Sequence, residues 1–147
     1  MPTEREPFKL DTKKETPWGE IGYITYKRTY ARRLNEEDVN SPTEEFSDTI
    51  NRIVNACRTQ LKVGFTDDEE KELGELLYTL KGSVAGRFLW QLGTKTVDKL
   101  GLLSLQNCAF TTVNHPIDPF TWTMEALMLG SGVGYNIKKH NVYSLPK

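Results

Sequence analysis

The sequence has 147 residues and a formal net charge of −1, and this length suffices for a domain with a sizeable buried core. Its acidic and basic residues are interleaved, so there is no basic stripe to neutralise nucleic-acid phosphates, and direct nucleic-acid binding is not expected. No apolar run approaches the ~20 residues that span a bilayer, and the amino terminus lacks the apolar core of a signal peptide. We therefore expect a cytoplasmic protein without a membrane segment.

The cysteines and histidines do not follow the spacing of metal ligands. Cys57 and Cys108 are far apart and neither belongs to a Cys-x-x-Cys pair, which disfavours both a disulfide-rich fold and a structural zinc site. His115 and His140 add no ligand spacing. We predict no metal site.

The first part of the chain divides into a polar segment and an aromatic helix. Residues 1–17 contain few large apolar side chains and are predicted to be a flexible arm. In residues 18–34, Tyr23, Tyr26 and Tyr30 recur at the spacing of a helix. For the four cations of this stretch we favour a solvated helix surface over a phosphate site. These cations are Lys27, Arg28, Arg32 and Arg33.

A second helix is predicted to begin at Ser41, with Pro42 in its first turn and Glu44 as the acidic partner of a capping box. An apolar stripe at helical spacing follows, made of Phe46, Ile50, Ile53, Val54, Cys57 and Leu61. We expect Cys57 to be a buried core residue and not a catalytic one, because a small thiol on an apolar stripe is usually structural.

A third helix is predicted to begin at Thr66, which forms a capping box with Glu69. Its apolar stripe consists of Leu73, Leu76, Leu77 and Leu80. Gly82 is the expected left-handed residue that ends it. The second and third helices together are predicted to form an amphipathic helical hairpin.

The last third of the chain has the pattern of a strand, a helix and a second strand. After a polar stretch over residues 93–99, residues 103–113 lose helical periodicity and are predicted to be a strand with Cys108 near its middle. Asp118 is predicted to cap a helix that Gly130 ends, and alternation then resumes in a second strand. This order is typical of a βαβ unit.

The cluster Gly130-x-Gly132-x-Gly134 closes a helix and opens a strand, whereas a dinucleotide-binding loop does the reverse. Two interpretations stay open for it. The glycines either form a helix cap with a tight turn, or leave room for a ligand or a neighbouring backbone to approach closely.

Five blocks along the chain carry a resemblance to a known family. They are the residues from Trp18 to Leu34, Gly86-Arg87-Phe88-Leu89-Trp90, Asn107-Cys108, Gly130-Ser131-Gly132-Val133-Gly134, and Ser144-Leu145-Pro146-Lys147. In this order they resemble the amino-terminal region of adenosylcobalamin-dependent ribonucleoside-triphosphate reductases. The resemblance implies an α/β fold, with a helical domain over residues 18–100. Residues 101–147 would supply the first βαβ unit of a ten-stranded α/β barrel that further polypeptide completes.

The resemblance also implies roles for individual residues. Cys108 matches a thiol that reduces the ribose and becomes part of a disulfide, with its partner outside this chain. The substrate side is implied to include Asn107, Gly130, Ser131 and Gly132. The effector side is implied to include Asp118, Pro119, Phe120 and Glu125. For Asp118 a capping role is favoured over an effector contact, because Asp-Pro commonly opens helices.

The implied cofactor is adenosylcobalamin, bound mainly by the rest of the enzyme. The implied partners are the remaining polypeptide, thioredoxin as reductant, a ribonucleoside triphosphate substrate and a deoxynucleotide effector. The resemblance implies thiyl-radical chemistry for DNA synthesis, with the thiyl cysteine outside this chain. The alternative is a non-enzymatic helical interaction module, for which the hairpin from Pro42 to Leu80 would suffice and Cys108 would be incidental.

Overall fold

The computed structural model of the chain describes residues 5–11, 16 and 18–145. The chain divides into two units, Met1–Thr94 and Lys95–Lys147. The sequence placed this boundary later, after Leu100. The difference arises because residues 95–100 form a helix that packs on the turn following it and so belongs with the second unit.

The described residues of the first unit form four helices. They are α1 (Glu20–Thr29), α2 (Phe46–Thr59), α3 (Asp67–Tyr78) and α4 (Gly86–Gln91). The predicted helical hairpin is confirmed, since α2 packs against α3. The predicted apolar stripe of α2 is also confirmed over most of its length, with Ile50, Ile53 and Val54 at its fully buried centre.

An aromatic cluster joins the beginning of α2 to α1 and α3. The ring of Phe46 lies 4.3 Å from that of Trp18, 5.2 Å from that of Tyr26 and 5.7 Å from that of Tyr78, measured between centroids. Such ring pairs contribute more than their buried area alone. Tyr26, one of the tyrosines whose spacing predicted the first helix, therefore packs that helix on the core.

The predicted start of α2 at Ser41 is wrong. The helix begins at Phe46, and Glu45 forms a reciprocal capping box with Asp48. Glu44, expected in the first helical turn, is instead buried, and its carboxylate accepts hydrogen bonds from Arg52 Nε at 2.6 Å and Nη2 at 2.9 Å. A buried carboxylate needs such partners, and this requirement outweighs the local capping signal.

The Glu44 carboxylate is the centre of a buried polar network. Oε2 also accepts the Thr49 hydroxyl proton at 2.7 Å and the backbone N–H of Arg32 at 3.1 Å. Because the Thr49 hydroxyl donates to Glu44, its oxygen is free to accept the Tyr26 hydroxyl, 2.7 Å away. Arg52 additionally donates to the backbone carbonyls of Leu89 and Leu92 at the end of α4. One ion pair thus ties together α1, α2 and α4.

The end of α3 also differs from expectation. The capping box of Thr66 and Glu69 at its start is confirmed. At its end the left-handed residue is Leu80, with φ 56°, and not Gly82. The backbone N–H groups of Lys81 and Gly82 both donate to the carbonyl of Leu76, which fixes the turn at Leu80 despite the cost of this conformation for a residue with a Cβ.

Residues 5–11, within the predicted flexible arm, lie extended against α2 and α3. The Asn55 side chain accepts the N–H of Phe8 at 2.7 Å and donates to its carbonyl at 2.9 Å, and Asn51 accepts the N–H of Leu10 at 2.7 Å. Apolar content alone could not predict this, because the segment is held mainly through its backbone. The rest of the predicted arm, residues 1–4, 12–15 and 17, lies outside the described residues.

The second unit contains a short helix, a turn and a βαβ motif. Its elements are α5 (Lys95–Leu100), a 3-10 turn (Leu102–Leu105), β1 (Cys108–Thr112), α6 (Asp118–Met128), β2 (Gly132–Asn136) and α7 (Lys139–Val142). The predicted strand from Leu103 is wrong at its start. Gly101, at φ 77°, instead opens the 3-10 turn, and its carbonyl accepts both the N–H and the hydroxyl of Ser104.

The βαβ prediction is confirmed. Strands β1 and β2 are parallel neighbours, and α6 is the crossover between them. The register pairs Cys108 with Gly132 and Phe110 with Gly134. The second unit is therefore a mixed helix and parallel-strand structure. Within the residues that the structure describes, no helix is long and apolar enough to cross a membrane.

Candidate functional site

The two faces of the β1–β2 sheet differ in what covers them. On one face Tyr135 meets α6: its hydroxyl donates to Thr123 Oγ1 at 2.9 Å, and its ring lies 5.7 Å from that of Phe120. Because side chains alternate along strands, Val133 and Ala109 point to this same face. The other members of each strand therefore point away from α6.

Cys108 and Phe110 belong to the face that α6 does not cover. Cys108 is an exposed free thiol, and Phe110 is 64% exposed. Their cross-strand partners, Gly132 and Gly134, have no side chains. The Cys108 thiol thus lies beside bare backbone, where another molecule or segment can approach closely.

The glycines opposite Cys108 and Phe110 are not required by backbone strain. Neither Gly132 nor Gly134 has a positive φ, and a Cβ at Gly132 would meet only the Asn107 carbonyl oxygen, at 3.8 Å. A Cβ at Gly134 would meet only the Phe110 ring, at 3.9 Å. Both distances are ordinary van der Waals contacts, so the described part of the chain itself leaves room for side chains here.

Gly130 is the glycine that the turn requires. Its φ is +84°, its N–H donates to the carbonyl of Leu127, and the N–H of Ser131 donates to the carbonyl of Ala126. This pattern is a Schellman motif, so the interpretation of Gly130 as a helix cap is confirmed. The turn delivers the chain into β2 next to Cys108.

Two hydrogen bonds bring the predicted substrate-side residues together around Cys108. The N–H of Gly132 donates to the Asn107 carbonyl at 2.9 Å, and the Ser131 hydroxyl donates to the Gln106 carbonyl at 2.5 Å. Ser131 is buried, so its hydroxyl holds the turn against the start of β1. Asn107, Cys108, Gly130, Ser131 and Gly132 therefore form one cluster at the amino-terminal ends of the two strands.

The predicted effector-side residues do not form one cluster. Asp118 lies in the first turn of α6, whereas Glu125 lies seven residues later, about 10 Å along the helix axis. Pro119 is buried and Phe120 packs on Tyr135. Since α6 runs back along the sheet, its first turn lies at the opposite end of β1 from Cys108.

The predicted capping role of Asp118 is wrong. The cap residue is Ile117, and the Asp118 side chain is 79% exposed. The His115 ring caps the helix instead of the Asp118 side chain. Its Nδ1 accepts the N–H of Ile117 at 3.3 Å and the N–H of Asp118 at 3.1 Å.

Cys57 differs from Cys108 in its exposure to solvent. It is buried on the apolar face of α2, as predicted. Burial raises the pKa of the Cys57 thiol, and the nearby Glu70 carboxylate raises it further. The thiolate, which is the nucleophilic form, is therefore disfavoured at Cys57.

Phe110 was not assigned to this surface by the sequence analysis, and Gly134 was named only as part of the glycine cluster. Phe110 and Gly134 continue the exposed face one step beyond Cys108 and Gly132. The period-2 alternation from Cys108 could have identified Phe110, but the pairing with Gly134 depends on the strand register, which the sequence does not display.

Comparison with known proteins places the chain in a family. A sequence model described as the ribonucleotide reductase alpha domain matches residues 7–94, more than half of the chain. The chain belongs to the ribonucleotide reductase family. The match covers the four helices of the first unit, the Glu44 network and residues 7–11 of the segment that packs on α2 and α3.

Curated relatives extend this similarity to the second unit. The chain is 33% identical to the adenosylcobalamin-dependent ribonucleoside-triphosphate reductase of Lactobacillus gasseri and 34% identical to that of Levilactobacillus brevis. Each alignment covers 95% of this chain and 22% of the relative, so the chain spans less than a quarter of the length of these reductases. The crystal structure of a B12-dependent class II ribonucleotide reductase matches with a TM-score of 0.72 and 28% identity. The structural match covers 90% of this chain and 22% of the chain in that crystal structure.

Proposed function

We propose that the chain is the amino-terminal portion of an adenosylcobalamin-dependent ribonucleotide reductase that converts ribonucleoside triphosphates to deoxyribonucleotides for DNA synthesis. The observation that carries the proposal is the exposed Cys108 thiol opposite Gly132, in a chain whose relatives bear this name. In this proposal β1 and β2 are the first strands of a ten-stranded α/β barrel. The remaining polypeptide supplies the other strands and the thiyl cysteine.

The proposed role of Cys108 is that of a redox thiol. Replacing the 2′-hydroxyl of ribose by hydrogen and releasing water consumes two electrons and two protons. Two thiols supply both when they form a disulfide, and Cys108 is one of these thiols, with its partner in the missing polypeptide. Thioredoxin then returns two electrons and two protons to the disulfide.

The surroundings of Cys108 suit this role. A ribose must approach the sulfur closely, and Gly132 and Gly134 leave the neighbouring backbone without side chains. Asn107, Gly130, Ser131 and Gly132 are assigned to the substrate side, where Gly130 and Ser131 act by holding the turn. Asp118, Pro119, Phe120 and Glu125 are assigned to a deoxynucleotide effector site that α6 shares with other parts of the enzyme.

Adenosylcobalamin, when bound, supplies the radical that begins the reaction. The described residues contribute a thiol and a substrate surface in this proposal, and none of them is assigned to hold the cofactor. The proposed location is the cytoplasm, where ribonucleotides and thioredoxin are available. The alternative of a non-enzymatic helical module is not favoured, because the similarity to reductases continues through the second unit.

A chimeric enzyme tests the proposal. This chain replaces the matching amino-terminal segment of the Levilactobacillus brevis reductase, and deoxynucleotide formation is measured with adenosylcobalamin and thioredoxin present or omitted. We expect turnover that depends on both. Failure of a soluble, folded chimera to reduce any ribonucleotide, or equal turnover after Cys108→Ser, would overturn the proposal.

A further inference from the structure

A basic pocket lies at the carboxyl-terminal end of α1, in the first unit. Its volume is about 350 Å³, and its lining among the described residues includes four cations, Lys27, Arg28, Arg32 and Arg33, and one acid, Glu36. The formal charge of this lining is therefore +3, in a chain whose net charge is −1. Such a concentration of one sign in a concave surface attracts anions.

The backbone that carries these cations is held in place. Arg33 and Thr43 form an antiparallel bridge, the N–H of Leu34 donates to the Pro42 carbonyl at 2.9 Å, and the N–H of Glu44 donates to the Arg32 carbonyl at 2.7 Å. The buried Glu44 carboxylate accepts the N–H of Arg32 in return. The wall of the pocket is thus fixed to the core of the unit.

Two of the four cations already have partners. Lys27 Nζ lies 2.7 Å from Glu45 Oε1, and the Arg32 guanidinium lies over the Trp90 ring and 3.8 Å from Glu36 Oε1. Arg28 and Arg33 are exposed, and neither forms an ion pair with a carboxylate of the described residues. Two guanidinium groups are therefore available to a ligand.

The helix dipole explains only part of this cluster. Lys27 and Arg28 lie in the last turn of α1, where cations are favoured. Arg33 lies beyond Thr29, the last residue of that helix, so the dipole does not account for it.

The sequence favoured a solvated helix surface for these cations, but Arg32 and Arg33 lie beyond the end of α1 and line the pocket with Lys27 and Arg28. We propose that this pocket binds a polyphosphate chain, either as the triphosphate of a nucleotide or as inorganic polyphosphate. Guanidinium groups donate two parallel hydrogen bonds to phosphate oxygens, and several phosphates in a row match several cations around one concavity. The site does not depend on the proposed reductase activity, because it belongs to the first unit and is tested without turnover.

Isothermal titration of the 147-residue chain with tripolyphosphate at low ionic strength tests the site. We expect saturable binding of one tripolyphosphate per chain, weakened about tenfold by Arg33→Gln and by Arg28→Gln. Lys71→Gln makes the same charge change at an exposed position on α3 and is expected to leave affinity unchanged. Circular dichroism confirms that each variant is folded.

Further ligands distinguish the two sources of the polyphosphate. Tighter binding of ATP than of tripolyphosphate supports a nucleotide, and equal binding supports inorganic polyphosphate. Absence of saturable binding overturns the proposal, as does an equal loss of affinity in Lys71→Gln. Binding of adenosine without phosphates at this site also overturns it, because the cations would then play no part.

Discussion

Gly132 lies directly opposite Cys108 in the parallel register of β1 and β2, on the face of the sheet that α6 leaves uncovered. The absence of a side chain there is not needed for the backbone conformation, because φ at Gly132 is not positive and a Cβ would meet only the Asn107 carbonyl oxygen, at 3.8 Å. Gly130, two residues earlier, is required by its φ of +84°. The backbone therefore requires a glycine at position 130 but not at position 132.

Gly132→Val is expected to reduce the turnover of the chimeric reductase about tenfold or more while changing the free energy of unfolding by less than about 0.5 kcal/mol. The Cβ meets only an ordinary contact, and the rest of the valine side chain enters the space beside the Cys108 thiol. Steady-state kinetics and thermal unfolding of the same preparation provide the two measurements. Normal turnover at unchanged stability would contradict a substrate-side role for Gly132 and would leave the glycine turn as a simple linker.

Gly130→Val is the matched control, because it makes the same change two residues away. A β-branched side chain at φ +84° is expected to cost about 1–3 kcal/mol of stability. The loss should appear as a lower melting temperature. A Gly130→Val variant as stable as wild type would contradict the assignment of the Schellman turn.

Brief alkylation of the folded chain with iodoacetamide at pH 8 is expected to label Cys108 and spare Cys57. Cys108 is exposed, whereas Cys57 is buried and its pKa is raised, first by burial and then by Glu70. Peptide mass spectrometry reads the two sites separately. Labelling of Cys57 as fast as Cys108 would show that the α2 core opens readily.

Substitution of the same cysteines should separate activity from stability. Cys108→Ser is expected to abolish thioredoxin-dependent turnover of the chimera with little change in its stability. Cys57→Ser buries a hydroxyl in an apolar stripe and is expected to cost about 1–3 kcal/mol while turnover is retained. The melting temperature and the rate of deoxynucleotide formation are compared for both variants.

The first unit is expected to lose stability in acid through Glu44. Burial raises the pKa of Glu44, but the hydrogen bonds and charge of Arg52, with the bond from Thr49, outweigh burial and hold the pKa below its usual 4.5. A carboxyl group whose pKa is lower in the folded state stabilises fully above about pH 4.5, and this contribution is lost as the pH falls through the folded value. Urea unfolding followed by circular dichroism should therefore show a falling midpoint below pH 4.5.

Glu44→Gln should lower the urea midpoint at pH 7 and flatten its dependence on pH below 4.5. The loss at neutral pH is expected to be about 3–5 kcal/mol at most, because Arg52 keeps its charge and loses its partner. Glu72→Gln, an exposed acid on α3, is the control and should behave as wild type. Equal effects of the two substitutions would contradict the central role of the network.

Gly74→Ala is expected to release residues 5–11 from the helical hairpin. Alanine normally stabilises a helix relative to glycine by about 1 kcal/mol, but its Cβ here would lie 2.6 Å from the Phe8 ring. The ring must move, which loosens the segment that Asn55 holds. Faster tryptic cleavage after Lys9 than in wild type is the expected result, with Gly64→Ala, where a Cβ has open space, as the control.

The extent to which the sequence predicted this structure depended on how local each determinant is. The stripe of α2, the capping box at Thr66 and the βαβ order are set by neighbours along the chain, and all are confirmed. The start of α2 was missed because the Glu44 carboxylate serves Arg52, a tertiary partner, and not the helix terminus. Local signals are overruled where a buried charge must be paired.

The candidate site divides in the same way. The Cys108 and glycine blocks were visible in the sequence, but the position of Cys108 at the first residue of β1, on an uncovered face, followed only from the register. The sequence predicted that the Asp118 side chain caps α6. The N–H groups at the start of α6 donate instead to the His115 ring, at 3.3 and 3.1 Å, and no sequence rule for helix caps describes this arrangement.

The packing of Phe8 against Gly74, with its backbone held by Asn55, has a consequence for synthesis on the ribosome. Phe8 is translated early but cannot be covered until α3 has left the exit tunnel. Throughout that interval residues 5–11 are open to proteases and modifying enzymes, and packing against α3 then restricts this access. Translation speed through residues 67–78 therefore sets how long this segment stays exposed.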